Sequence, residues 1–184
     1  MQRCQWIASK PDFYIRYHDE IWGKPEHDDL LLFKWLVLET FHVGLSWQLI
    51  LSKEKAFEQA FDQFDYQKIA NYQQDKVETL LNNEKIIRHR GKIEATITNA
   101  LAFIKIQKDF GSFDKYIWHF TNRQVVLRPE SQKLPKTVSK LSDAVTCSLK
   151  EYGFKFVGSV TIYSYLQAIG VINDHDADCA FRLK

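Results

Sequence analysis

The most apolar stretch of the chain lies between Asp28 and Gly44, where hydrophobic residues recur at helical spacing on most sides of the predicted helix. This pattern is typical of a buried helix. Asp28 is a suitable N-cap, and Gly44 supplies a position where the chain can turn without Cβ strain. Ser46 can then cap a second helix, which the pattern extends to about Phe61. We therefore expect a helical hairpin with Gly44 and Leu45 at its tip.

Helical spacing also predicts the elements that follow. These predicted helices cover residues 66–72, 74–81, 86–110, 112–120, 142–152 and 159–169. Residues 1–27 are expected to be irregular, and residues 121–138 are expected to form the longest loop, because they are polar and contain two prolines. Strand-like alternation never exceeds four or five residues. The pattern therefore predicts an all-α fold.

Composition narrows the class of protein. The 184 residues, 45% of them hydrophobic, fit a single globular domain over 1–184. A net charge of +2 is too small to indicate nucleic-acid binding, so any polyanion site has to be a local patch. Three cysteines argue against a disulfide framework, and no apolar run approaches the ~20 residues of a membrane span. We expect a soluble, cytoplasmic, helical enzyme or binding protein.

Two pairs of metal-ligating residues lie near opposite ends of the chain. Cys4 and His18 are in the first pair, and His175 and Cys179, one helical turn apart, are in the second. Two cysteines and two histidines make a closed tetrahedral zinc set, which would be structural because it has no open position. On spacing alone, unrelated histidines and thiols are the simpler interpretation.

Glu39 is the acidic residue inside the predicted buried helix. A buried carboxylate costs several kcal/mol unless it is paired or hydrogen-bonded. One interpretation is a structural glutamate bonded to backbone or tyrosine. The other is a pocket in which the carboxylate and the N-terminal aromatic residues accept a flat, cationic ring. Composition does not separate these interpretations.

Two further segments could contact phosphate. The segment Gly153–Gly158, here called the glycine-bounded hairpin, joins two predicted helices and could present backbone N–H groups, with Lys155 adding a cation. An ordinary helical hairpin is the alternative. Residues 88–92, RHRGK, place cations at a helix start, where a solvated helix end is the better interpretation on charge alone.

Several long motifs occur together in one order, and they resemble the Tag-type 3-methyladenine DNA glycosylases of the helix-hairpin-helix superfamily. The motifs are MQRCQW, YHDEIWGKP, GLSW, IIRHRGKI, GFKFVGSVTIYSYLQAIG and VINDHDADC. The resemblance implies an all-α glycosylase fold, a helical bundle with a hairpin over 142–170. It also implies a zinc element that joins 1–27 to 171–184, with one structural Zn²⁺ per chain. The implied ligands are Cys4, His18, His175 and Cys179.

The resemblance further implies hydrolysis of the N-glycosidic bond of 3-methyladenine, which leaves an abasic site without lyase activity. The implied partner is double-stranded DNA with alkylated bases, bound by a monomer with no membrane association. Glu39 matches the base-recognising and candidate catalytic position. Other implied base-binding residues are Tyr17, Trp47, Trp6, Trp22, Tyr14 and Ser164. Implied DNA-binding residues are Leu45, which would enter the duplex, His42, Gly153, Lys155 and Gly158.

The sequence departs from the family near the DNA-binding tip. His42-Val43 stands where the family usually has glutamine-alanine, and Glu20-Ile21 stands where it has asparagine-glutamate. The first departure leaves open an alternative function, a catalytically weak or inactive protein that binds alkylation lesions.

Overall fold

The computed structural model describes residues 1–129 and 136–183, and helices dominate it as the hydrophobic spacing predicts. The helices are α1 (Asp12–Glu20), α2 (Asp29–His42), α3 (Trp47–Ser52), α4 (Glu54–Ala60), α5 (Tyr66–Ile69), α6 (Gln74–Leu81), α7 (Arg90–Phe110), α8 (Phe113–His119), α9 (Lys140–Glu151) and α10 (Ser159–Ala168). The middle of the expected loop over 121–138 lies outside the described residues. None of the described helices is long and apolar enough to cross a membrane.

Two short strands accompany the helices. β1 (Val126–Leu127) and β2 (Ile172–Asn173) pair in parallel, with Val126 opposite Ile172. The prediction of a mainly helical fold is confirmed, and the small strand pair is a feature that it lacked. Two-residue strands carry too little alternation to be seen in a sequence.

The prediction that residues 1–27 are irregular was wrong. A 3-10 turn covers Gln5–Ile7, and α1 follows directly after Pro11. Proline fixes φ at a value suited to a helix start, so Pro11 was the available signal. The mixture of aromatic and charged residues in α1 obscured its period. This helix matters for function because Tyr17 and His18 are buried on it.

The expected helix from Ser46 to Phe61 is divided in two. Ser46 does cap α3, since its Oγ accepts a hydrogen bond from the Leu49 N–H at 3.2 Å. At the end of α3 the Ser52 hydroxyl donates to the Leu49 carbonyl at 2.8 Å, and Lys53 leaves helical geometry before α4 begins. Short polar side chains that bond to nearby backbone compete with the helix in this way.

The boundary between α9 and α10 also differs from expectation. Ser139, not Ser142, caps α9, and the two serines form a reciprocal capping box. Gly158, not Ser159, is the N-cap of α10. Ser159 instead donates its hydroxyl to Asp143 Oδ1 at 2.6 Å, which ties the start of α10 to the first turn of α9.

Helix α2 lies at the centre of the fold, as its all-round hydrophobic pattern predicts. Residues 32–41 of this helix are all buried. Helix α10 packs against both α9 and α2, while α7 packs against α2, α5, α6 and α8. The Tyr165 hydroxyl of α10 donates to the Leu32 carbonyl of α2 at 3.1 Å. A side chain on the last turn of α2 therefore projects from a rigid support.

Candidate active site

Glu39 lies on the last turn of α2 and is only 2% exposed. The following turn of chain is held by Lys92 of α7, whose ammonium donates to the carbonyls of Phe41 at 2.8 Å and Val43 at 2.6 Å. A cation at the end of a helix satisfies carbonyls that lack intrahelical partners. Lys92 is therefore a buried cap of α2, and the interpretation of RHRGK as a solvated helix start was wrong for this residue.

The turn after α2 presents apolar side chains to solvent. Gly44 adopts φ +79°, as its predicted turn position requires, and the Leu45 N–H donates to the His42 carbonyl at 2.8 Å. Leu45 is exposed at this tip. Val43 falls within the stretch predicted to be a buried helix, but it is 40% exposed because α2 has already ended at His42.

A cavity of about 510 Å³ opens beside Glu39. It brings together residues from α1, α2, α3 and α10 with the N-terminal 3-10 turn. The expected base-binding residues all line it: Glu39, Tyr17, Trp47, Trp6, Trp22, Tyr14 and Ser164. His42 lines it as well. The sequence therefore anticipated most of a cavity wall assembled from distant segments.

Aromatic rings form much of that wall. Tyr17 and Trp47 contact each other with centroids 5.5 Å apart and planes at 64°, and Trp6 meets Trp22 at 5.1 Å and 84°. These pairs are edge to face, a favoured aromatic geometry. The ring planes of Tyr17 and Trp47 are therefore not parallel to each other.

Among the described residues, Glu39 is the acidic residue that lines this cavity. Burial raises its pKa above the ordinary value of 4.5, and the neighbouring His42 opposes that rise. His42 Nδ1 lies 3.0 Å from Glu39 Oε2. Burial, followed by the charge of Glu39, raises the pKa of Tyr14 to about 12. In the part of the chain that the structure describes, the cavity therefore combines the Glu39 acceptor with neutral aromatic surfaces, and this combination suits a flat cation.

Five further lining residues were missed by the sequence analysis: Lys136, Thr137, Val160, Tyr163 and Gln167. Three of them lie on α10 with Ser164, and the spacing 160, 163, 164 and 167 is one face of a helix. That spacing was the signal available once Ser164 was singled out. Lys136 and Thr137 lie within 121–138, the stretch predicted as the longest loop, and carried no periodic signal.

The glycine-bounded hairpin lies outside the cavity. Its Lys155 backbone is clamped by Asn99 of α7, which accepts from the Lys155 N–H at 2.8 Å and donates to the Lys155 carbonyl at 3.2 Å. Phe154 and Val157 are buried, whereas Phe156 is exposed. The hairpin is therefore a rigid element fixed to α7.

Neither glycine of the hairpin has a neighbour within 4 Å of an added Cβ, although Gly153 adopts φ +95°. Gly158 adopts an extended conformation open to other residues. Sterically, the ends of the hairpin are free to approach another molecule.

A buried Cys/His cluster forms where the two ends of the chain meet. Its members are Cys4, His18, His175 and Cys179, whose ligand atoms all lie within 4.8 Å of one another. Among the described residues, His175 Nε2 is buried without a hydrogen-bond partner. Burial, with a smaller effect from His18, lowers the pKa of His175 to about 4, so its ring is neutral at pH 7. This set of donors could hold a metal.

The second nitrogen of each histidine is held by an oxygen acceptor. His18 Nδ1 lies 2.7 Å from Asp19 Oδ1, and His175 Nδ1 lies 3.1 Å from Asn173 Oδ1. Such contacts fix the tautomer and direct the other nitrogen, here Nε2, toward a metal. Trp22 stacks on His18 with centroids 5.9 Å apart, so the cluster adjoins the cavity wall.

Comparison with known proteins agrees with this arrangement. The methyladenine glycosylase family model matches residues 6–183. The chain is 42% identical over 181 residues to DNA-3-methyladenine glycosylase 1 of Escherichia coli K12, which covers 97% of this chain and 96% of that protein.

Solved structures agree as well. A crystal structure of 3-methyladenine DNA glycosylase I superposes with a TM-score of 0.93 at 42% identity, over 99% of this chain and 100% of that one. The Staphylococcus aureus enzyme, studied for its recognition of 3-methyladenine, superposes with a TM-score of 0.93 at 37% identity, over 100% of this chain and 98% of that one. On sequence and structure alike, this chain belongs to the methyladenine glycosylase family.

Proposed function

We propose that this protein excises 3-methyladenine from alkylated DNA by hydrolysing the N-glycosidic bond, releasing the free base and leaving an abasic site. The observation that carries this proposal is the buried Glu39 carboxylate in an aromatic cavity, within a fold of the methyladenine glycosylase family. The glycosidic bond is inside the duplex stack, so the damaged nucleotide has to leave the helix to reach the cavity.

The chemistry of the damaged base suits this cavity. Methylation at N3 gives adenine a formal positive charge, which already makes the base a good leaving group. A strong general acid is therefore unnecessary. Glu39 would accept charge-assisted hydrogen bonds from the cationic base. The faces of Tyr17, Trp47, Trp6, Trp22 and Tyr14 would favour the cation over neutral adenine, with Ser164 beside them.

Glu39 is proposed first as the recognition residue and second as a catalytic residue. An anion beside the reacting sugar would also stabilise the positive charge that develops as the bond breaks. Water is the proposed attacking group, so in this mechanism no amine of the protein forms a Schiff base and no lyase step follows.

The proposed DNA surface comprises the turn after α2 and the glycine-bounded hairpin. Leu45 is exposed at the tip and would fill the gap left by the extruded base, with His42 beside it. The open backbone at Gly153 and Gly158, with the Lys155 ammonium, would contact phosphate. The partner is double-stranded DNA.

We infer that the Cys/His cluster holds one structural Zn²⁺. Two thiolates and two imidazoles are a closed zinc set. Zinc–ligand bonds of about 2.0 to 2.3 Å require the four ligand atoms to move slightly closer together than they lie here. The ion would link the N-terminal segment to the C-terminal one and would take no part in hydrolysis. A monomeric state and a cytoplasmic location stay predictions from the sequence.

Base release tests the function. Wild type and Glu39→Gln are incubated with methylated DNA, and released bases are separated by chromatography. We expect 3-methyladenine from wild type and a loss of at least ~100-fold in Glu39→Gln, the scale of removing one strong electrostatic contact. Glu84→Gln is the matched control, because the Glu84 side chain is 84% exposed.

Equal release by wild type and Glu39→Gln would refute the role of Glu39. Tight binding of lesion DNA without release would favour the alternative function, a weak or inactive lesion-binding protein, which the replacement of the usual glutamine by His42 motivates.

Elemental analysis tests the metal. We expect one zinc per chain in wild type and in Cys147→Ser, since Cys147 is exposed and outside the cluster. Cys179→Ser should lose zinc and unfold at a lower temperature, because metal-binding free energy contributes to folding. Equal zinc content in the two variants would contradict the assignment.

A further inference from the structure

The Glu39 carboxylate has a specific partner on its own helix. Among the described residues, His42 provides the side-chain hydrogen bond to Glu39, with Nδ1 3.0 Å from Oε2. The Glu39 side chain is 3% exposed, whereas that of His42 is 31% exposed. The imidazole also packs on Trp47 with ring centroids 5.2 Å apart. One residue thus connects the buried carboxylate to the mouth of the cavity.

Other titratable groups around the pair do not offer the same contact. Tyr14 and Tyr17 face Glu39 from α1, and burial, then the charge of Glu39, raises the pKa of both phenols. They are therefore neutral at physiological pH. From α7, the Lys92 ammonium is bound to backbone carbonyls. Lys136 and Tyr163 line the cavity near α10, and Tyr163 donates to Asp174 instead.

We propose that His42 is a positioning residue that holds Glu39 ionised and oriented for a cationic base through the hydrogen bond from its Nδ1–H. The ligand named here rests on the proposed function, but the His42–Glu39 pair is a property of the free protein. In this chain, the residue that replaces the family's usual glutamine is therefore linked to charge recognition as well as to the DNA surface.

Two opposing effects act on the pKa of the Glu39 carboxyl. Burial raises the pKa of Glu39, and the hydrogen bond from His42 opposes that rise. Without the donor, Glu39 takes up a proton at higher pH. A protonated carboxyl has lost the charge that attracts the cation and has one fewer free acceptor position. Loss of the His42 donor should therefore shift the pH dependence of recognition to higher pH.

Carboxyl titration tests the pair without any substrate. The ¹³C shift of the Glu39 carboxyl is followed against pH in wild type, His42→Leu and His42→Gln. Leucine removes the donor and keeps side-chain bulk, while glutamine keeps an amide donor that does not titrate. We expect the Glu39 midpoint to rise in His42→Leu and to stay nearer wild type in His42→Gln. Thermal unfolding checks that the variants are folded.

The pH dependence of base release gives a second readout. The lesion carries its charge through methylation, so its cationic form needs no added proton. Below the Glu39 midpoint, the ionised fraction falls about tenfold per pH unit. The fall in kcat/KM should begin at higher pH in His42→Leu than in wild type, mainly through KM. His42→Gln should restore the shape of the wild-type profile.

Three results would overturn the proposal: an unchanged Glu39 midpoint in His42→Leu, a loss of activity equal at every pH, or a midpoint in His42→Gln as high as that in His42→Leu. A raised midpoint in a protein whose wild type releases no base would support the pair and refute the proposed function, so the two failures are distinguishable.

Discussion

Replacing Gly170 with alanine is expected to destabilise the protein far more than the same change at Gly44, although both glycines adopt a left-handed backbone. Their φ angles are +71° and +79°. A Cβ at Gly170 would lie 2.1 Å from the carbonyl carbon and oxygen of Lys24 and 2.4 Å from the nitrogen of Pro25. A Cβ at Gly44 would meet nothing within 4 Å.

The two positions separate backbone strain from steric overlap. A left-handed conformation costs a non-glycine residue about 1–2 kcal/mol, and this should be the whole loss at Gly44. Gly170 adds overpacking of about 1–3 kcal/mol, at the upper end because the overlapping atoms are backbone and cannot rotate away. We expect losses of about 1–2 kcal/mol at Gly44 and about 4–5 kcal/mol at Gly170.

Thermal and urea unfolding of both variants measure these losses. For a domain of this size, each kcal/mol lowers Tm by about 2–4 °C. Base release should also fall in Gly170→Ala, because the displaced Lys24–Pro25 segment follows Trp22 of the cavity wall. Equal losses of stability at Gly170 and Gly44 would refute the steric argument, since strain alone would then explain both.

Three further changes test other contacts. Lys92→Met should cost about 2–4 kcal/mol in urea unfolding, because two carbonyls at the end of α2 lose a charged donor; a loss below about 0.5 kcal/mol would contradict the cap. Asn99→Leu should release the Lys155 backbone and so weaken binding to duplex DNA about tenfold or more, as measured by titration with labelled abasic DNA. Unchanged affinity would exclude the hairpin from DNA contact. Glu39→Gln should be more stable than wild type above pH 4.5. The pKa of Glu39 is raised in the folded protein, so the unfolded chain releases this proton at lower pH than the folded protein does. The stability of wild type therefore falls as pH rises from 4.5 through the folded-state pKa, whereas glutamine does not titrate. A stability difference that does not grow with pH would refute the burial argument.

Local sequence signals identified much of the secondary structure. Asp28 and Ser46 cap the helices that they were predicted to cap, since both side chains accept N–H groups of the first turn. The prediction failed at α1, where aromatic and charged residues obscured the period, and at Lys53, where Ser52 competes for the backbone. Such failures arise where side-chain hydrogen bonds or tertiary packing override periodicity.

For the candidate site, the family motifs indicated some of the residues and missed others. The family motifs indicated seven residues as expected base-binding residues, and all seven line the cavity. They did not reveal Tyr163 and Gln167, which belong to the same face of α10 as Ser164. Nor did they reveal Lys92, whose buried ammonium reaches across from α7 to the end of α2. A side chain's partner on a distant element has no local signature.

By itself, the sequence determined that a carboxylate would lie on a buried helix just before a turn, because hydrophobic spacing, capping residues and glycine act within a few neighbouring positions. Only the tertiary structure decided what that carboxylate meets. The packing of α1, α3 and α10 around α2 places aromatic rings beside Glu39, and the meeting of the chain's two ends brings Cys4 within reach of Cys179. These contacts join residues that are remote along the chain, so their distances follow from the packed core and not from local conformation.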